Sequence, residues 1–160
     1  MSSSEASASE KPRIITPRRQ ELVLPGQGKS YDWAQDHIHV KATCDLSDGR
    51  VTLVEDRLKP GFVLARHYHK KMIEIFYVLE GSVQFTFDDE TVIAAPGTTL
   101  SVPPELWHEV RSPEGARLLT IFSPGGFDQY LEELVALTEA QYADLGFMTA
   151  LSEQYDIFSK

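Results

Sequence analysis

The chain has 160 residues, 42% apolar and 24% charged, with 15 basic against 24 acidic residues and a net charge of −9. That length holds one ordinary domain and not two independent catalytic ones, and the composition is that of a globular protein rather than a disordered one. An acidic surface repels phosphate backbones and no apolar run approaches about 18 residues, so neither nucleic-acid binding nor a transmembrane helix is expected.

Residues 1–12, MSSSEASASEKP, are Ser-, Ala- and Glu-rich without apolar periodicity, and are expected to be a disordered tail. They lack the basic and apolar regions of a secretory signal. With Cys44 the only cysteine, no intramolecular disulfide or multi-Cys zinc site can form, and a cytoplasmic location is expected. Residues 13–126 are expected to form the barrel together with N-terminal strands. Ile14-Ile15 and Leu22 to Leu24 are candidates for those strands, interrupted at Pro17 and Pro25-Gly26.

From His37 onward the pattern is one of short β-type runs ended by turn residues. They are His37–Thr43, Arg50–Leu58, Phe62–His69, Glu74–Leu79, Ser82–Phe87, Thr91–Ala94, Thr99–Val102, Trp107–Arg111 and Ala116–Phe122. Strands at this spacing predict an all-β antiparallel sandwich or barrel. After residue 126 the period changes. Phe127, Tyr130, Leu131, Leu134 and Val135 follow a helical repeat, and Thr138 with Gln141 forms a capping-box pattern opening a second helix. Gly146 is expected to weaken or end that helix. Residues 127–160 are therefore read as C-terminal helices packed on the barrel.

Three histidines and one glutamate stand where a metal site can use them. His67 and His69 are two apart in a strand, so their rings share a face with Cα atoms roughly 6.7 Å apart. A short turn then brings Glu74 to the start of the returning strand, and His108 follows the Pro103-Pro104 turn four strands later. In a closed barrel such positions can face one interior point. Three imidazoles and a carboxylate suit Fe, Ni, Cu, Mn, Co or Zn.

Other residues have plainer readings. His37 and His39 share a strand face but have no third ligand nearby, so exposed or core histidines are the default, with a second metal pair or a polar pocket wall as the alternative. Cys44 reads as a small buried hydrophobe, and Trp107 as packing on the face opposite His108. Alternation puts Val63 and Ala65 beside the histidines, and Phe76 and Val78 beside Glu74. Val63, Phe76 and Val78 are the expected apolar walls of a substrate pocket.

The spacing Gly61, five residues, His67-Tyr68-His69, four residues, Glu74, six residues, Gly81 resembles the first motif of the cupin superfamily. Gly97, five residues, Pro103 and then His108 are similar to the second. The resemblance covers about residues 37–122 and implies a cupin (double-stranded β-helix, jelly-roll) barrel with a metal on His67, His69, Glu74 and His108. Two positions depart from the second motif, Glu105 standing where Gly is usual and Ser112 where Asn is usual. Neither is a ligand in the family, so the departure bears on the shape of the turn.

Among cupins, Glu74-Ile75-Phe76-Tyr77-Val78-Leu79-Glu80-Gly81, and Phe122-Ser123-Pro124-Gly125-Gly126-Phe127 before a helix, resemble the quercetin 2,3-dioxygenase-like small cupins. That resemblance implies a dioxygenase using one divalent metal (Fe, Ni, Co or Mn). Glu74, ligand and catalytic base, would deprotonate a flavonol-like or other aromatic or enolic substrate, and O₂ would cleave its ring with loss of CO. Two alternatives stay open: a non-redox cyclase or isomerase of aromatic polyketides, often with Zn, and a small-molecule-binding cupin without catalysis. A homodimer is expected, because an unpaired barrel edge is a liability that a second copy covers.

Overall fold

A computed structural model describes residues 20–159. The expected tail and the Ile14-Ile15 strand lie outside the described residues. The strands are β1 (Ser30–Asp32), β2 (Asp36–Ala42), β3 (Thr52–Leu58), β4 (Phe62–Tyr68), β5 (Ile73–Gly81), β6 (Val83–Thr86), β7 (Thr91–Ala94), β8 (Thr99–Val102), β9 (His108–Ser112), β10 (Ala116–Ser123) and β11 (Phe158–Ser159). The helices are α1 (Phe127–Ala136), α2 (Glu139–Ala143) and α3 (Leu145–Gln154).

The strands form two antiparallel sheets, ordered β1-β2-β3-β10-β5-β8 and β11-β4-β9-β6-β7. This is the expected jelly-roll class, two sheets closed face to face over one core. The core follows from alternation. Phe76, Val78, Phe85, Val110 and Leu118 are all buried inside the sandwich, and Phe76 packs on Phe85 at 4.9 Å between ring centroids. A second cluster, including Val54, Phe122 and Leu131, joins the larger sheet to α1. Asp128 locks that junction: its buried carboxylate accepts from Cys44 N–H at 3.1 Å and from the Thr52 hydroxyl. Cys44 is buried, and burial first, then Asp128, pushes its thiol up to about 11.

Three expectations need correction. Leu22 to Leu24 is not a strand. Gly146 does not end a helix: the break falls at Asp144, whose side chain accepts from Phe147 N–H at 3.0 Å and opens α3, leaving Gly146 in its first turn. The free energy of that cap outweighs the low helix propensity of one glycine. Val63 does not face inward. It pairs with Arg111, and the register slips by one residue between Leu64 and His67, so β4 carries a bulge. Phe62 and Leu64 face the cavity before the slip, His67 faces it after, and Val63 is 41% exposed on the other side.

The departures from the second motif have structural consequences. Ser112 is buried and its hydroxyl donates to the Ser82 carbonyl at 2.8 Å, tying the end of β9 to the turn after β5. Glu105 has φ +67° and donates its N–H to the His69 carbonyl at 2.6 Å. A side chain in the left-handed region costs about 1–2 kcal/mol, somewhat more than a glycine loses in unfolded-chain freedom. Gly81, at φ +74°, has no such latitude, because a Cβ there would meet the Gly115 carbonyl oxygen at 2.4 Å. Among the described residues no helix is long and apolar enough to cross a membrane.

The expected effect of Glu105→Gly is a rise in Tm of roughly 1–4 °C, read by calorimetry. A lower Tm would show that the turn gains more from the Glu105 side chain than it loses to strain.

Candidate metal centre

The two sheets meet at four buried side chains. His67 on β4 and His108 on β9 are direct cross-strand partners, and the bulge in β4 is what turns His67 inward to face His108. Their rings lie 4.2 Å apart between centroids. His69 follows one residue after β4. Glu74 comes from the opposite sheet, on β5, paired with Phe122 of β10 and Val102 of β8. One ligand atom from each of the four lies within 4.8 Å of the others, and all four residues are at most 4% exposed.

Each imidazole is fixed by a backbone carbonyl. His67 Nδ1 donates to the Ala65 carbonyl at 2.8 Å, His108 Nδ1 to Leu106 at 3.0 Å, and His69 Nδ1 to Asp156 at 2.8 Å. A carbonyl can only accept, so each Nδ1 carries a proton and each Nε2 is the ring nitrogen left free to meet a ligand. Two of those nitrogens face the same carboxylate oxygen: Glu74 Oε2 lies 3.3 Å from His69 Nε2 and 3.1 Å from His108 Nε2. Lone pairs facing a carboxylate in a dry site repel unless a cation or protons sit between them. This donor set fits a divalent transition metal, with the backbone carbonyls orienting the ligands from behind.

Burial pushes His67 down to about 4, so that ring is neutral. Burial also works against His69, but the hydrogen bond and charge of Glu74 outweigh it and raise His69. Glu74 is held down at about 2: burial opposes ionisation, and the contacts to His108 and His69 override it.

The sequence offered no sign of Asp156. Its carbonyl orients His69, while its carboxylate accepts from the N–H groups of Lys70, Lys71 and Met72 at 3.1, 2.9 and 2.8 Å. A residue from the far end of the chain therefore clamps the β4–β5 turn carrying His69 toward Glu74. It does so from φ +65°, and β11 just beyond pairs with β4.

Beside the four donors lies a cavity of about 610 Å³, within the range of small-molecule sites. Phe76 and Phe122 form its barrel wall, and Leu131, Leu134 and Met148 of α1 and α3 form its roof. Among the described residues lining it there is no Lys or Arg. Phe76 stands where alternation put it, whereas Val78 lies in the core and Val63 is outside. The His37 and His39 rings lie 4.3 Å apart between centroids, tilted to each other, and do not line the cavity. Trp107 packs against Tyr68 on the face away from the four donors.

Residues 54–122 match the family described as Cupin domain. No curated protein sequence matches the chain significantly. Among solved structures, the chain is similar to KdgF from Halomonas sp., at 19% identity and TM-score 0.60, over 68% of this chain and 99% of that one. It is also similar to an RmlC-like cupin from Shewanella frigidimarina, at 21% identity and TM-score 0.55, over 69% and 97%. A third likeness is to ectoine synthase from P. lautus, at 20% identity and TM-score 0.52, over 59% and 68%. At these identities the likeness is one of fold.

Asp156→Ala removes three turn contacts while leaving the four donors in place. The expected result is a loss of roughly tenfold or more in Zn affinity, measured by competition with a chromogenic chelator. Unchanged affinity would mean that the turn holds His69 without Asp156. The match over residues 54–122, the jelly roll and the buried His/Glu group lie in the same part of the chain.

Proposed function

We propose that the protein is a metal-dependent cupin dioxygenase acting on a flavonol-like or other aromatic or enolic substrate. His67, His69, Glu74 and His108 hold the metal, and Glu74 is also the catalytic base. The observation that carries this reading is an apolar cavity, without a cationic side chain among its described lining residues, that is lined by His67, His69 and Glu74 of the buried His/Glu group. Such a cavity suits a flat, poorly soluble ring compound better than a phosphate or sugar acid, which calls for Arg or Lys. A bound divalent Fe, Ni, Co or Mn ion supplies a place where a substrate oxygen and O₂ meet.

The chain's own residues supply the rest. Glu74 is buried and lines the cavity, where its carboxylate can take a proton from a substrate hydroxyl. Phe76 and Phe122 offer ring faces for stacking, and the helical roof keeps water off the substrate.

With a flavonol and Fe, Ni, Co or Mn, oxygen uptake is expected, and Glu74→Gln is expected to lower it at least a hundredfold while sparing part of the metal content. Full activity in that variant would remove Glu74 as base. Turnover undiminished under nitrogen with Zn alone would favour the cyclase or isomerase reading, and saturable binding without product under every metal would favour a binding protein.

The assembly proposed is a homodimer. On the outer face of the larger sheet, Leu53, Ile121 and Ile75 are aligned across three strands, beside Leu119 and Tyr77. Tyr77 there is 41% exposed. Light scattering is expected to give twice the monomer mass, and a monomer mass independent of concentration would refute it.

A further inference from the structure

Asp56 is an inward-facing acid in an otherwise apolar row. On β3 it alternates with Val54 and Leu58, and across the sheet it pairs with Ile38 and Leu118. It lines the cavity, yet its Oδ1 is out of contact with solvent and has no hydrogen-bond partner. Burying a polar oxygen unpaired is destabilising, and an apolar residue of similar size would avoid that cost. Asp36, two pairs further along β2 and opposite Leu58, lines the same cavity wall. Burial first, then the charges of Asp36 and Glu74, hold the Asp56 carboxyl well above the usual carboxylate range. A neutral carboxyl has both a donor and an acceptor to offer.

Register places this group away from the metal centre. Glu74 pairs with Phe122, which pairs with Thr52, whereas Asp56 lies four residues further along β3. A flat sheet would put the Cα atoms of Asp56 and Glu74 roughly 16 Å apart, with both side chains projecting into the cavity between them. A ligand of two or three fused rings spans such a gap.

We propose that Asp56 anchors the far end of the substrate: its carboxyl exchanges hydrogen bonds with a hydroxyl group on an apolar ring system whose other end faces the metal centre. The inference rests on reading the cavity as the substrate site, and not on which reaction takes place there. It makes Asp56 a specificity-determining residue, selecting hydroxylated ligands over bare hydrocarbons of the same shape.

The test is a binding titration on metal-free full-length protein, so that preference for a hydroxyl cannot arise from the metal. The probes are fused-ring aromatics in matched sets, with one hydroxyl, with hydrogen in its place, or with an amine, followed by fluorescence. The expected result is a preference of about tenfold for the hydroxyl over the hydrogen compound. It should be lost in Asp56→Leu and kept in Asp56→Asn, which still donates and accepts. Asp56→Leu is also expected to melt no lower than the parent, since it removes an unpartnered buried oxygen. No preference in the parent, or an equal one in Asp56→Leu, would overturn the proposal. So would tighter binding of the amine than of the hydroxyl, because Asp56 would then act as an anion. Failure of oxygen uptake alongside a hydroxyl preference that Asp56→Leu abolishes would remove the dioxygenase reading and leave this one standing.

Discussion

Three imidazoles and one carboxylate, all buried, bring their ligand atoms to a single volume inside a closed sheet sandwich. Carrying a carboxylate into such an interior costs several kcal/mol unless positive charge or hydrogen bonds offset it. Among the described residues Glu74 has no Lys or Arg contact to do so; its contacts are to His69 and His108. The rings cannot turn away, since each is tethered through Nδ1 to a carbonyl. The site is therefore pre-strained toward a cation, and the rest of the architecture serves to hold that strain. The smaller sheet carries the histidines, the larger sheet carries the glutamate, and the core between them fixes their separation.

Two features connect this centre to the rest of the molecule. The C-terminal segment closes back on it: Asp156 orients His69, and β11 pairs with the strand bearing His67. The same segment carries α1 to α3, which roof the cavity. Ordering of the roof and ordering of the metal site are thus coupled through one loop, since loss of the Asp156 contacts would loosen both. The second feature is the polar punctuation of an apolar cavity, carboxylates at separate points along one wall and no cation among the described lining residues. That arrangement dictates the polarity a ligand must have at each end.

Much of this was legible in the residues. Turn chemistry and alternation place β2 to β10 to within a residue or two but miss β1 and β11, and the His67/His69/Glu74/His108 spacing was visible because a period of two and a short turn fix which side chains share a face. Alternation failed at Val63, where an extra residue in β4 reverses the facing of everything before it; a bulge leaves no residue-level mark in a run such as Phe62 to His69. Gly146 misled because propensity was weighed without Asp144, a cap two residues earlier. The anomaly of Asp56 was present in the sequence, an acid on the inward register of Thr52 to Leu58, and it acquires meaning only with the cavity in view. Asp156 was illegible, because its partners lie over 80 residues away and its backbone conformation follows from how the C-terminus docks.

The most direct measurement is metal stoichiometry joined to local structure: Zn or Ni titrated into chelator-stripped protein, with X-ray absorption at the metal edge of the loaded sample. The expected result is one ion per chain with three imidazole nitrogens and carboxylate oxygen in its coordination sphere, and loss of that signal when His67, His69 and His108 are replaced together by alanine in a variant that retains the β-sheet circular dichroism. Saturation at one ion per chain with the alanine variant binding equally well, or no saturable binding to the parent, would contradict the account.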